Sequence, residues 1–170
     1  ETGTWYLQEK LDIQELIKET EEDGTVPYKL QYLDLRLGHT CNLKCVMCSP
    51  HDSSKWVQDY DKVMKRTTFP IVSSQIQWDQ KSFNNTWYEN PTFWEEMYEQ
   101  IPNLKQVYFA GGEPLIMKEH YYLLEKLIEL GKTDIYFGFS TNGTIFKEDI
   151  FRKLQNFRQM KVHLDRLTQK

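Results

Sequence analysis

No run of about 18 apolar residues occurs anywhere in the 170 residues, so the sequence offers no membrane-spanning helix. The first residues also lack the basic and apolar regions of a signal peptide. Cationic excess is missing as well. Lys and Arg total 21 against 25 Asp and Glu, a net charge of −4, which leaves no basic footprint for nucleic acid. Cysteine is scarce: there are only 3, and all fall within residues 41–48. Three thiols cannot pair without an odd sulfur, and clustered reduced cysteines argue for a cytoplasmic rather than a secreted protein. A chain of this length suits one domain with a real core.

What is present is concentrated in that cysteine cluster. Cys41-Asn42-Leu43-Lys44-Cys45-Val46-Met47-Cys48 spaces its thiols as C-x3-C-x2-C. Thiolates are soft ligands suited to zinc or to iron–sulfur clusters. Closed structural zinc sites and ordinary electron-transfer clusters take four protein ligands, whereas three thiolates leave one coordination position open. A zinc site completed by His51, as C-x3-C-x2-C-x2-H, is the competing reading of the same residues.

Strand and helix signals alternate around the cluster. Residues 4–22 are rich in helix formers, and 1–29 reads as a helical extension ahead of a core over 30–170. Strict alternation over 32–37 predicts a strand with leucines on one face, and a helix capped by Ser53 or Ser54 is expected to about residue 65. Residues 66–100 are aromatic-rich with little periodicity, an apparent insertion ending in a short helix over 92–100. The remainder predicts strands at 106–110, 134–140 and 161–164, with helices at 118–130 and 146–157. Alternating strands and helices predict a parallel sheet with helices packed outside it. Each polar motif then falls just after a strand, at the carboxyl edge where such folds place their sites.

Two of those motifs complete a pattern. Ala110-Gly111-Gly112-Glu113-Pro114 follows one strand and Ser140-Thr141-Asn142-Gly143 follows the next. With the cysteine spacing, they resemble the radical S-adenosylmethionine (radical SAM) superfamily over about residues 30–164. The flanks Asp34-Leu35-Arg36-Leu37-Gly38-His39-Thr40 and Ser49-Pro50-His51 resemble its SPASM/twitch-bearing branch. The resemblance implies a partial (β/α) barrel. It also implies a [4Fe–4S] cluster held by Cys41, Cys45 and Cys48, with S-adenosylmethionine (SAM) on the open iron. Met47 would pack beside the adenine. Gly111 and Gly112 would admit close approach of the ligand, and Glu113 and nearby carbonyls would accept from the methionine ammonium. Pro114, lacking an amide hydrogen, would end the ladder. Ser140, Thr141 and Asn142 would offer polar contacts to the methionine carboxylate or ribose.

By the same resemblance, an electron donor such as flavodoxin or ferredoxin is a partner, and the branch favours peptide or protein modification. About four strand–helix units are detectable where the family has six, which reads as a core shortened after its fourth strand. A homodimer or a second chain completing the barrel, or a non-catalytic cluster- or zinc-binding module, are the corresponding expectations. His120 and His163 read as packing or surface residues, and Asp34 with Arg36 reads as an ion pair or a substrate contact.

Overall fold

The computed structural model describes residues 13–66 and 86–164. Residues 4–12 of the helical stretch expected over 4–22, most of the expected aromatic insertion and the residues after 164 lie outside the described residues. The first described helix, α1, is Ile13–Glu19. It is followed by β1, Tyr32–Arg36, in which Leu33 and Leu35 are buried while Asp34 and Arg36 are exposed, as the alternation predicts.

Three further strands complete a four-stranded parallel sheet: β2 Gln106–Ala110, β3 Tyr136–Thr141 and β4 Gln159–Leu164. The order is β1-β2-β3-β4, so each strand pairs with its neighbour in sequence. Helices lie between them: α2 Val57–Arg66 and α3 Pro91–Gln100 before β2, α4 Lys118–Glu129 before β3, and α5 Glu148–Leu154 before β4. This is the parallel α/β arrangement that the alternating pattern predicts, and it is consistent with the partial barrel that the resemblance implies. No described helix is long and apolar enough to cross a membrane.

Register assigns the two faces of the sheet. Leu35, Phe109, Phe139 and Val162 form one row, and Asp34, Tyr108, Gly138 and Lys161 form the adjacent row on the opposite face. The first face packs against the helices. Phe137, in the same apolar layer and 1% exposed, meets Phe109 edge-on at 5.0 Å and Phe157 at 4.8 Å. Burying each such ring contributes roughly 2–3 kcal/mol. Leu123, Leu124 and Leu127 of α4 complete that layer.

Helix ends follow local chemistry. Asn90 caps α3 by accepting from the Thr92 amide at 3.1 Å, with Pro91 in the first turn. Gly131, at φ +67°, ends α4, and Lys132 N and Gly131 N donate back to Leu127 O and Ile128 O. Three elements depart most from the bounds expected from sequence. α5 is shorter than 146–157 because Phe146 lies outside it, stacked on Phe151, while Phe157 plugs the core beneath. β3 starts later than expected but continues to Thr141, and β4 starts earlier, at Gln159. Parallel pairing of Tyr136 with Gln159 draws in residues whose own alternation is weak.

Candidate cluster and cofactor site

The cysteine loop leaves β1 and is gripped by the segment after it. Ser54 N donates to His39 O at 2.7 Å, and Ser53 Oγ donates to Leu43 O at 2.5 Å. Ser54 Oγ accepts from Cys41 N at 3.3 Å, and the Trp56 indole N–H donates to Cys45 O at 2.8 Å. Lys44 crosses the Trp56 ring at 4.8 Å and pairs with Asp59. The loop backbone is thus held by its own chain, while all three thiols are outside any disulfide and partly exposed.

The loop after β2 docks against the approach to the cysteines. Gly111 and Gly112 have φ of +80° and +54°. A Cβ on Gly111 would lie 2.9 Å from Gly38 O, and one on Gly112 would lie 2.3 Å from Thr40 O. Glu113 N donates to Thr40 O at 2.8 Å. Both glycines are therefore required by close approach to residues 38–40 of the chain itself, a neighbour that the sequence reading did not identify.

Glu113 then joins this loop to the end of β3. Its side chain is 0% exposed. Oε1 accepts from Thr141 Oγ1 at 2.7 Å and Leu115 N at 3.1 Å, and Oε2 accepts from Asn142 N at 2.8 Å. A buried carboxylate needs such donors, since an uncompensated one is costly. Both oxygens thus meet donors of the chain itself, where the sequence reading had aimed them at a ligand's ammonium. Asn142 continues the connection to the first loop, because its Nδ2 lies 2.9 Å from Asn42 Oδ1 and 3.7 Å from Cys41 Sγ. Thr144 closes the ring by accepting from Asn42 Nδ2 at 2.7 Å.

The thiols influence one another electrostatically. Burial pushes the Cys48 thiol up to about 11, with Cys45, Asp52 and Cys41 adding to the rise. Among the described residues, no group of three or more His, Cys, Asp or Glu is already placed around a single metal position. Ligands of a multi-iron cluster bind separate irons of one compact cube and need not all reach a single ion. The donor set fits such a cluster: three soft thiols on a backbone-satisfied loop, with N–H donors directed at one sulfur.

The other predicted residues fall as follows. Met47 projects from the loop and is 83% exposed. Pro114 is buried in the second motif loop. Ser140 points its hydroxyl at Tyr108 Oη, 2.6 Å away, on the polar face of the sheet. Arg36 forms a two-point ion pair with Asp34 at 3.0 and 2.9 Å. His120 is buried against the Phe109 ring at 4.5 Å with Nε2 3.4 Å from Leu35 O, a packing residue. Tyr108, Asn42, Thr144, Ser54 and Trp56 were not expected at the site. Asn42 lies within the cysteine motif and Thr144 adjoins the third motif, but their bonds to each other and to Asn142 span about a hundred residues and no local pattern announces them.

The chain is 27% identical over 128 residues to a tungsten-containing aldehyde ferredoxin oxidoreductase cofactor-modifying protein of Pyrococcus furiosus, covering 74% of this chain and 27% of that protein. It is 21% identical over 141 residues to a GTP 3',8-cyclase of Aliarcobacter butzleri, covering 82% of this chain and 36% of that protein. The chain therefore spans about a quarter to a third of the length of these curated relatives. No solved structure matches it significantly. Residues 35–168, which contain the cysteine loop, both polar motifs and all but the start of the sheet, match the Radical SAM superfamily, and the chain belongs to that superfamily.

Proposed function

We propose that this chain is the cluster- and SAM-binding core of a radical SAM enzyme. Cys41, Cys45 and Cys48 would hold a [4Fe–4S] cluster, and SAM would bind across it. The chemistry supplied by the bound pair is reductive cleavage of SAM to a 5′-deoxyadenosyl radical that abstracts hydrogen from a substrate. The observation that carries this reading is the direct bonding of three loops: Glu113 holds Thr141 and Asn142, while Asn142 reaches Cys41 and Asn42.

In this reading the chain's own groups bind and orient. The partly exposed Gly111 and Gly112 offer backbone carbonyls to the methionine ammonium, and Glu113 braces that loop from inside. Met47, exposed on the cysteine loop, covers the adenine. Ser140, Thr141 and Asn142 stand at the end of β3 for the methionine carboxylate or ribose. The electron comes from a flavodoxin or ferredoxin type of donor in the cytoplasm. The substrate is a peptide or protein, as the flanks of the SPASM/twitch-like type suggest. β4 is exposed along most of its length, which supports completion of the barrel by a further strand, from this polypeptide or another.

Anaerobic reconstitution with iron and sulfide tests the reading. About four irons per chain are expected, followed by release of 5′-deoxyadenosine from SAM under strong reductant. Cys45→Ala should abolish both while leaving the circular dichroism intact. One bound zinc and no sulfide would sink the proposal. A fully loaded cluster that yields no deoxyadenosine would favour a non-catalytic module.

A further inference from the structure

We propose that Asn142 is a positioning residue whose side-chain amide donates to the Cys41 sulfur and raises the reduction potential of the cluster held there. The inference rests on the cluster reading above and assigns Asn142 a role beyond contact with SAM.

The orientation of this amide is determined by its partners. Asn142 Oδ1 accepts from Thr144 N at 3.0 Å and from Thr144 Oγ1 at 2.6 Å. The opposite end of the amide must therefore be the NH2 group, and it faces Asn42 Oδ1 at 2.9 Å and Cys41 Sγ at 3.7 Å. Its backbone is fixed as well, because Asn142 N donates to the buried Glu113 carboxylate at 2.8 Å. The donor is held from both ends.

Cys41 differs from its two neighbours in this respect. Its sulfur accepts from Leu43 N at 3.4 Å in addition to Asn142 Nδ2. One donor comes from the cysteine loop itself and the other from the end of β3, about a hundred residues away in sequence. Among the described residues, Cys45 and Cys48 have no nitrogen donor on sulfur. An N–H aimed at a thiolate withdraws charge from it and stabilises the more electron-rich, reduced state most. Loss of the Asn142 amide should therefore make the cluster harder to reduce.

The duller role for Asn142 is structural: its Oδ1 caps the turn at Thr144 and its Nδ2 ties down Asn42. Three variants of the reconstituted full chain separate the two. Asn142→Leu is neutral and close in shape but has no donor. Asn142→Gln keeps an amide. Asn42→Ala breaks the same ring of bonds while leaving the Cys41 donor in place. Each is loaded anaerobically, counted for iron, checked by thermal melting, and titrated against redox mediators with the reduced cluster followed by electron paramagnetic resonance.

The midpoint potential should become more negative in Asn142→Leu, move back toward the parent in Asn142→Gln, and stay at the parent value in Asn42→Ala. Iron release to a chelator should be roughly tenfold faster in Asn142→Leu, in line with the loss of a partner to a metal ligand. An unchanged potential in Asn142→Leu at full iron content overturns the inference and leaves the cluster reading standing. A potential that falls equally in Asn42→Ala also overturns it, since the effect would then come from the loop. Should Asn142→Leu fail to fold, a parent-like potential in Asn142→Gln together with a lowered one in Asn142→Ser supports the inference, and equal potentials in both overturn it. Failure of the parent chain to assemble any cluster defeats the proposed function itself.

Discussion

Thr141 donates its hydroxyl to Glu113 across 2.7 Å of buried space, and this bond joins the loop after β2 to the end of β3. Removing the donor leaves a buried carboxylate oxygen short of a partner. Thr141→Val should cost about 1–3 kcal/mol of stability, while Thr141→Ser should retain most of it. Glu113→Ala should cost at least as much, because it strands the donors of Thr141, Leu115 and Asn142 together. Denaturant titration of the cluster-free chain measures each difference.

Two of the left-handed glycines, Gly24 and Gly112, provide a controlled comparison of strain with collision. Gly24, at φ +86°, has nothing within 4 Å of an added Cβ, so Gly24→Ala should lose only about 1–2 kcal/mol from its backbone conformation. At Gly112 an added Cβ would meet Thr40 O at 2.3 Å, and one side must move. Gly112→Ala should therefore lower the melting temperature further and reduce iron incorporation, since Thr40 precedes Cys41. Parent-like iron content in Gly112→Ala would show that this contact does not position the cysteines.

Acid sensitivity should centre on His120. Burial lowers its proton affinity to about 4 in the folded chain, against an ordinary value of 6.5. The unfolded chain therefore binds a proton that the folded chain refuses between those two values. Stability falls as pH drops from about 6.5 to about 4 and levels off below, a loss on the order of 3 kcal/mol. His120→Phe, which can still pack on Phe109, should flatten that limb when unfolding midpoints at pH 7 and 5 are compared.

Cluster loading should consume base. The Cys48 thiol is pushed up to about 11 by burial and by the charge of Cys45, Asp52 and Cys41, so it enters a metal site only by giving up a tightly held proton. Assembly should accelerate between pH 7 and 9, by up to about tenfold per unit where this proton limits the rate. Asp52→Asn removes one contributor, and alkylation of Cys48 at pH 8, read by mass spectrometry, should be faster in that variant. Equal alkylation rates would show that Asp52 does not act on this thiol.

The sheet was legible because its strands carry their own period: the buried leucines of β1 and the apolar runs of β2 and β3 could be read residue by residue. α4 was legible for the same reason, from its leucine stripe to Gly131. The three motifs were legible as text, but their mutual geometry was not. That Gly112 abuts Thr40, or that Asn142 reaches Cys41, depends on pairs separated by many residues, and no local period encodes them. Glu113 shows the limit most clearly. Its residue type suggested an acceptor for a ligand, whereas its complete burial and three internal donors make it a brace.

Because the strands lie side by side in the order of the chain, the site has a direction in time. A ribosome delivers the three thiols first, the glycine loop that seats behind them next, and Asn142 last. At roughly 5–20 residues per second, about 5–20 s pass between synthesis of the last thiol and synthesis of Asn142. Metal delivered during synthesis would find an accessible loop, and metal delivered afterwards would find one already latched.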